Sequence, residues 1–176
     1  MRIEWRSFLL RPRPTPVRDL EKFRAYTRSW LRPAADADAG TFRVWEGDAG
    51  PPSHSIPPHL VAKAAAQLGE EPFQRIHEGL LRAYFAENRD ITDASTLRAV
   101  WREAGLPDAE FERSDDPALL RETLQQHNEA LEAGATGVPA VRLADNDAVI
   151  VGAHPFELYR RWFERNRAAS AEAGGR

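Results

Sequence analysis

The chain contains no cysteine. That absence alone excludes a disulfide framework, thiolate-ligated zinc, a thiol nucleophile and redox cycling by this polypeptide on its own. Long apolar runs are also missing, and nothing approaches the roughly 20 residues that a membrane-spanning helix requires. Neither sign of charge dominates. With 24 Lys and Arg against 27 Asp and Glu, the net charge is -3 and the pI is about 6.0. There is thus no basic field of the kind that draws nucleic acid or an anionic membrane. A Gly-rich phosphate loop and a G-x-S-x-G elbow are both missing. The opening Met1-Arg2-Ile3-Glu4-Trp5-Arg6 has neither the apolar segment nor the small-residue cleavage site of a secretion signal, so the expectation is a cytoplasmic protein.

What is present suits one globular domain carrying an insertion: 176 residues, 42% of them apolar. A composition rich in Ala, Arg, Asp and Glu with little Lys fits a GC-rich bacterial genome. Residues 2–10 alternate, with Ile3, Trp5, Ser7 and Leu9 on one side and Glu4, Arg6, Phe8 and Leu10 on the other, which predicts a strand. The prolines at 12, 14 and 16 end it. A helix follows near Val17–Leu31, and Thr41–Trp45 is a short strand-like piece in an irregular stretch.

The middle reads as helices. One enters at Ser55-Ile56-Pro57-Pro58 and stops at Gly69. The next carries the stripe Phe73, Ile76, Leu80, Leu81, Tyr84 and Phe85. A third starts at Thr92 or Asp93 and closes at Gly105, and Pro107–Arg113 forms a short turn. A further helix opens at Asp116-Pro117, with Leu120, Leu124, His127 and Leu131 predicted inward. Val138–Leu143 and Ala148–Val151 then flank Asp145-Asn146-Asp147, an antiparallel hairpin signature. A last helix carries Phe156, Leu158, Tyr159, Trp162 and Phe163, and residues 168–176 read as a disordered tail. The domain division expected is 1–50, a helical insertion at 51–133, ββα at 134–167, and the tail.

Three stretches of this sequence resemble the DsbA-like branch of the thioredoxin superfamily. The first is Ile3–Pro12, similar to the second strand of the cytosolic subgroup that includes FrnE-like proteins. The second is Pro58–Ala65, similar to the first helix of the inserted domain. The third is Ala133-Gly134-Ala135-Thr136-Gly137-Val138-Pro139-Ala140-Val141 with Val149–Ala153, similar to the cis-proline loop and hairpin. The resemblance runs from Ile3 to about Arg165. It implies an α/β, thioredoxin-like fold with a helical insertion domain, and an interior gap where the family's first strand and its Cys-x-x-Cys helix would sit. Three explanations stand open: a β-α unit encoded upstream, a truncation that pairs with another chain, or a repurposed non-catalytic fold.

The resemblance further implies that Gly137, Val138 and Pro139 form a substrate-binding loop, with the Val138–Pro139 bond cis and Gly137 permitting close approach. Its substrates would be protein or peptide thiols. An alternative on the same fold is a glutathione-dependent isomerase or transferase of the 2-hydroxychromene-2-carboxylate isomerase or kappa-class type, for which glutathione would be the cofactor. A non-catalytic binding module is the third reading. No catalytic residue and no metal site is assigned in this chain. His54, His59, His77 and His154 read as surface or cap residues and His127 as a core histidine. Glu70-Glu71 and Asp115-Asp116 read as helix-start charges. The open sheet edge is expected to favour homo-oligomers.

Overall fold

The computed structural model describes residues 3–15, 19–35, 39–48, 50–144 and 146–173, with side chains to residue 167. The chain divides into two compact units, Leu9–Leu124 and Met1–Phe8 with Gln125–Arg176. Residues 9–50 therefore group with the helical block.

The unit Leu9–Leu124 is helical. Helix α1 spans Leu20–Thr27 and continues as a 3-10 turn, Arg28–Leu31. It starts later than the periodicity suggests because Asp19 caps it, its carboxylate accepting from Lys22 N at 2.9 Å; Val17 lies outside the described residues. Helices α2 (Ile56–Leu68), α3 (Glu70–Leu81) and α4 (Ala94–Glu103) follow. Asp93 caps α4 through Thr96 N. Val61, Ala64 and Ala65 of α2, Ile76 and Leu80 of α3, and Leu97, Val100 and Trp101 of α4 make one core. Gly79 lets α3 and α4 approach, since a Cβ there would stand 3.0 Å from Val100 Cγ1.

The single stripe read over residues 73–85 is divided. After α3 the chain widens into a π-turn, Arg82–Ala86. Tyr84 and Phe85 join Phe23, Trp30, Phe42 and Trp45 in an aromatic cluster, while Leu81 is exposed. Burial pushes the Tyr84 phenol up to about 12.

Thr41–Trp45 forms no strand, because its N–H groups go to separate partners. Arg43 N donates to Phe85 O, Trp45 N to Thr27 Oγ1 and Glu46 N to Asn88 Oδ1. Gly47 closes this strap, since a Cβ on it would meet the Asn88 carbonyl oxygen at 2.9 Å.

Helix α5 covers Pro117–Glu132. Of the four residues read as inward, His127 is buried and the three leucines are not. Leu119, Thr123 and His127 are buried, whereas Leu120, Leu124 and Leu131 are exposed. Neighbours decide this: Leu119 enters the core of α2–α4, and Phe8 packs edge-on against His127, ring centroids 5.2 Å apart.

In the other unit, residues 3–8 join no sheet. The alternation survives only as burial of Ser7 and Leu9. The partner of this segment is the last part of α5: Ser7 N donates to Gln126 Oε1 at 2.9 Å and Arg6 pairs with Glu129. A side chain has taken the place of a neighbouring strand, so no ladder forms. The described residues hold one sheet, the hairpin of β1 (Ala140–Arg142) and β2 (Val149–Val151). Helix α6 spans Phe156–Ala173, so residues 168–173, expected in a tail, are helical.

Candidate functional site

The loop 137–139 is positioned from both ends. Behind it, α5 stops in a Schellman motif: Gly134 adopts φ +89°, Ala135 N donates to Ala130 O at 2.9 Å and Gly134 N to Leu131 O at 2.9 Å. Ahead of it, β1 pairs with β2 in the register Ala140↔Val151, Val141↔Ile150, Arg142↔Val149. Between them Val138 is 49% exposed, and the Val138–Pro139 peptide bond is cis. Gly137 is not forced by space. A Cβ added there would meet only Val151 Cγ1 of this chain, at an ordinary 4.0 Å.

The ladder fixes which backbone groups face outward. Gly152 N donates to Pro139 O at 2.8 Å. By the two-residue alternation of an antiparallel pair, Val141 also faces β2, and Ala140 and Arg142 direct their N–H and C=O groups to the free side of β1. Proline cannot return the second bond of its pair, which leaves the Gly152 carbonyl without a backbone donor. Tyr159 of α6 supplies one, its hydroxyl donating to Gly152 O at 2.6 Å.

The two edges of the hairpin differ. On the β2 side, the Val151 carbonyl accepts from His154 Nε2 at 3.1 Å. The turn is closed by Asn146, whose Oδ1 accepts from Ala148 N at 2.7 Å and whose amide meets Asn166 of α6. Arg142 reaches Asp147 at 2.8 Å along the turn. On the β1 side no strand pairs with Ala140 or Arg142 among the described residues.

The other sequence candidates His54, His59, His77, Glu70, Glu71 and Asp116 belong to the Leu9–Leu124 unit. His54 Nδ1 lies 2.8 Å from Ser53 Oγ, and burial lowers its pKa. His77 stacks on Phe73 and is lowered by burial as well. His59 sits in the first turn of α2 and is half-buried. Among the described residues no three His, Cys, Asp or Glu side chains are grouped to hold a metal ion. Glu70 and Glu71 occupy the first turn of α3, and Asp116 accepts from Ala118 N at 2.8 Å at the start of α5.

Two hollows, of about 440 and 370 Å³, lie in the Leu9–Leu124 unit and include no residue of the loop. The first is lined by Arg11, Lys22 and Tyr26 among others, the second by Phe42, Leu81 and Phe85. Sequence reasoning missed Tyr159 and His154 as supports of the hairpin. The proline at residue 139 was the available signal for Tyr159, since a proline in a bonded pair needs a substitute donor.

A family model for the DSBA-like thioredoxin domain matches residues 1–163. Among solved structures, the fold is similar to a candidate protein disulfide isomerase from Nitrosomonas europaea. That match has 17% identity and a TM-score of 0.72, covering 88% of this chain and 78% of that one. It is also similar to the cytosolic disulfide reductase DsbM from Pseudomonas aeruginosa, with 19% identity and a TM-score of 0.67 over 91% of this chain and 81% of that one. No match was found among curated proteins.

Proposed function

The chain belongs to the DSBA-like thioredoxin domain family, an α/β thioredoxin-like fold with a helical insertion, and from that premise we propose that it recognises extended protein or peptide substrates at Gly137–Val138–Pro139. The family is related to disulfide oxidoreductases, as the names of both structural neighbours reflect. These 176 residues contain no cysteine, so what they contribute at such a site is binding and orientation, not an exchanging thiol. The cytosolic location named for DsbM supports the same compartment here.

One observation carries the proposal: the loop 137–139 is held between the capped end of α5 and β1 and leaves Val138 half-exposed. Exposed backbone of this kind can pair with an extended peptide. The test is an NMR titration with a cysteine-free extended apolar peptide. Amide shifts concentrated at residues 137–140 are the expected result. Val138→Asp puts a charge on the exposed loop residue and should weaken binding about two- to fivefold, whereas Val138→Ile should leave affinity unchanged. Equal affinity for the Asp variant, or shifts confined to other parts of the chain, overturns the proposal.

A further inference from the structure

We infer that the hollow between residues 39–42 and the junction of α3 with the π-turn takes small amphipathic cations, an aromatic or aliphatic body carrying an ammonium group. The hollow holds about 370 Å³, within the range of about 300–1,000 Å³ usual for small-ligand sites. Its two walls are tied together, because Arg43 N donates to Phe85 O at 2.8 Å and holds the strap against the π-turn. The apolar lining is Phe42 and Phe85, ring centroids 5.0 Å apart, together with Leu81. Phe85 also packs on Trp30, centroids 4.9 Å apart, so the aromatic wall is fixed before any ligand arrives. The π-turn shapes the site: it carries Phe85 into the aromatic cluster and leaves Leu81 46% exposed on the hollow. Such turns recur at functional sites in helices.

The charges along the lining decide the sign of the ligand. Among the described residues two ionisable side chains line the hollow, Glu78 and Arg82; Arg43, although next to Phe42 in the strap, does not. Arg82 is already neutralised by two carboxylates, Glu87 at 3.2 Å and Glu103 at 3.9 Å. Glu78 is exposed and has no ion-pair partner among the described residues. The charge left to meet a ligand is therefore negative. An ammonium group gains a partner in Glu78 while its hydrocarbon body covers Leu81 and the two rings; an anionic ligand meets a like charge. Because Glu78 stands in water, its pairing is worth only a small factor. The apolar contact carries the affinity, and the carboxylate carries the choice of sign.

The experiment titrates the full chain with phenethylammonium, 2-phenylethanol and phenylacetate at low ionic strength, read by amide shifts. Shifts are expected at residues 39–43 and 78–86, with the cation bound about two- to fivefold tighter than the alcohol and the anion bound weakest. Glu78→Gln should bring the cation down to the affinity of the alcohol and leave the alcohol where it was. Leu81→Ala should weaken cation and alcohol alike by about two- to fivefold. Both side chains are exposed, so neither change removes a core contact. A preference for the cation that survives Glu78→Gln, equal affinity for the three probes, or shifts outside these residues overturns the inference. Shifts of the same amides on raising the protein concentration without any probe would give the hollow to a second copy of the chain, and would overturn it as well.

Discussion

Thr123 offers a direct test of how polar burial is balanced in α5. Its side chain is fully buried, and its hydroxyl has no hydrogen-bond partner among the described residues. A helical threonine usually bonds the carbonyl of the preceding turn; this one does not. Replacing the hydroxyl by a methyl in Thr123→Val keeps the branched shape and removes an unsatisfied polar atom. Burying a hydroxyl without a partner costs about 1–3 kcal/mol on mutational scales, so the variant should be more stable by about 1–2 kcal/mol after allowing for imperfect packing of the methyl. In a chain of this length that corresponds to a rise in Tm of about 2–4 °C per kcal/mol. The assay is denaturant unfolding, read as a higher midpoint at unchanged slope. Thr123→Ser is the control: it keeps the hydroxyl, deletes the methyl, and should lose about 1 kcal/mol. A midpoint for Thr123→Val equal to or below that of the wild type would refute the reasoning, because it would mean that the hydroxyl is satisfied in solution.

Gly47→Ala should lose about 1–3 kcal/mol of stability in thermal unfolding, since its Cβ would stand 2.9 Å from the Asn88 carbonyl oxygen. Tyr159→Phe should lose about 1 kcal/mol, because the Gly152 carbonyl then has no donor. Burial holds the pKa of His77 below its ordinary 6.5, so the unfolded chain takes up a proton first as pH falls. Stability is therefore full above about 6.5 and declines as pH drops from there through the folded value; His77→Gln should flatten that part of a pH series of unfolding midpoints. The purified chain should not accelerate insulin reduction by dithiothreitol, because it supplies no thiol; activity surviving removal of contaminants would count against a family-type exchange.

The hairpin and its loop were legible in the sequence because short-range chemistry specifies them: apolar runs on either side of Asp145-Asn146-Asp147, a glycine ending a helix at residue 134, and a proline at the start of a strand. Helices α2 to α4 were equally readable from their caps and spacing. The errors have a common cause, which is dependence on partners distant in sequence. Residues 3–9 alternate like a strand, yet Gln126 and Glu129 supply their contacts, and alternation says nothing about who pairs. In α5 the leucines at 120, 124 and 131 were read as inward together with His127, yet of these only His127 is buried, beside Leu119 and Thr123, because neighbouring elements and not residue type set the phase. Tyr84 and Phe85 were recognised as apolar, but the π-turn that directs them into the aromatic cluster leaves no periodic signature.

The capping of Val151 by His154 bears on how copies of this chain could assemble. A head-to-tail array needs two different complementary edges, and it grows without limit when the rotation between copies does not close. His154 covers one acceptor of the β2 edge, the Val151 carbonyl, and so makes that edge a poorer template for a second strand at this residue. His154→Ala uncovers that acceptor and is the variant in which edge-to-edge association is to be looked for.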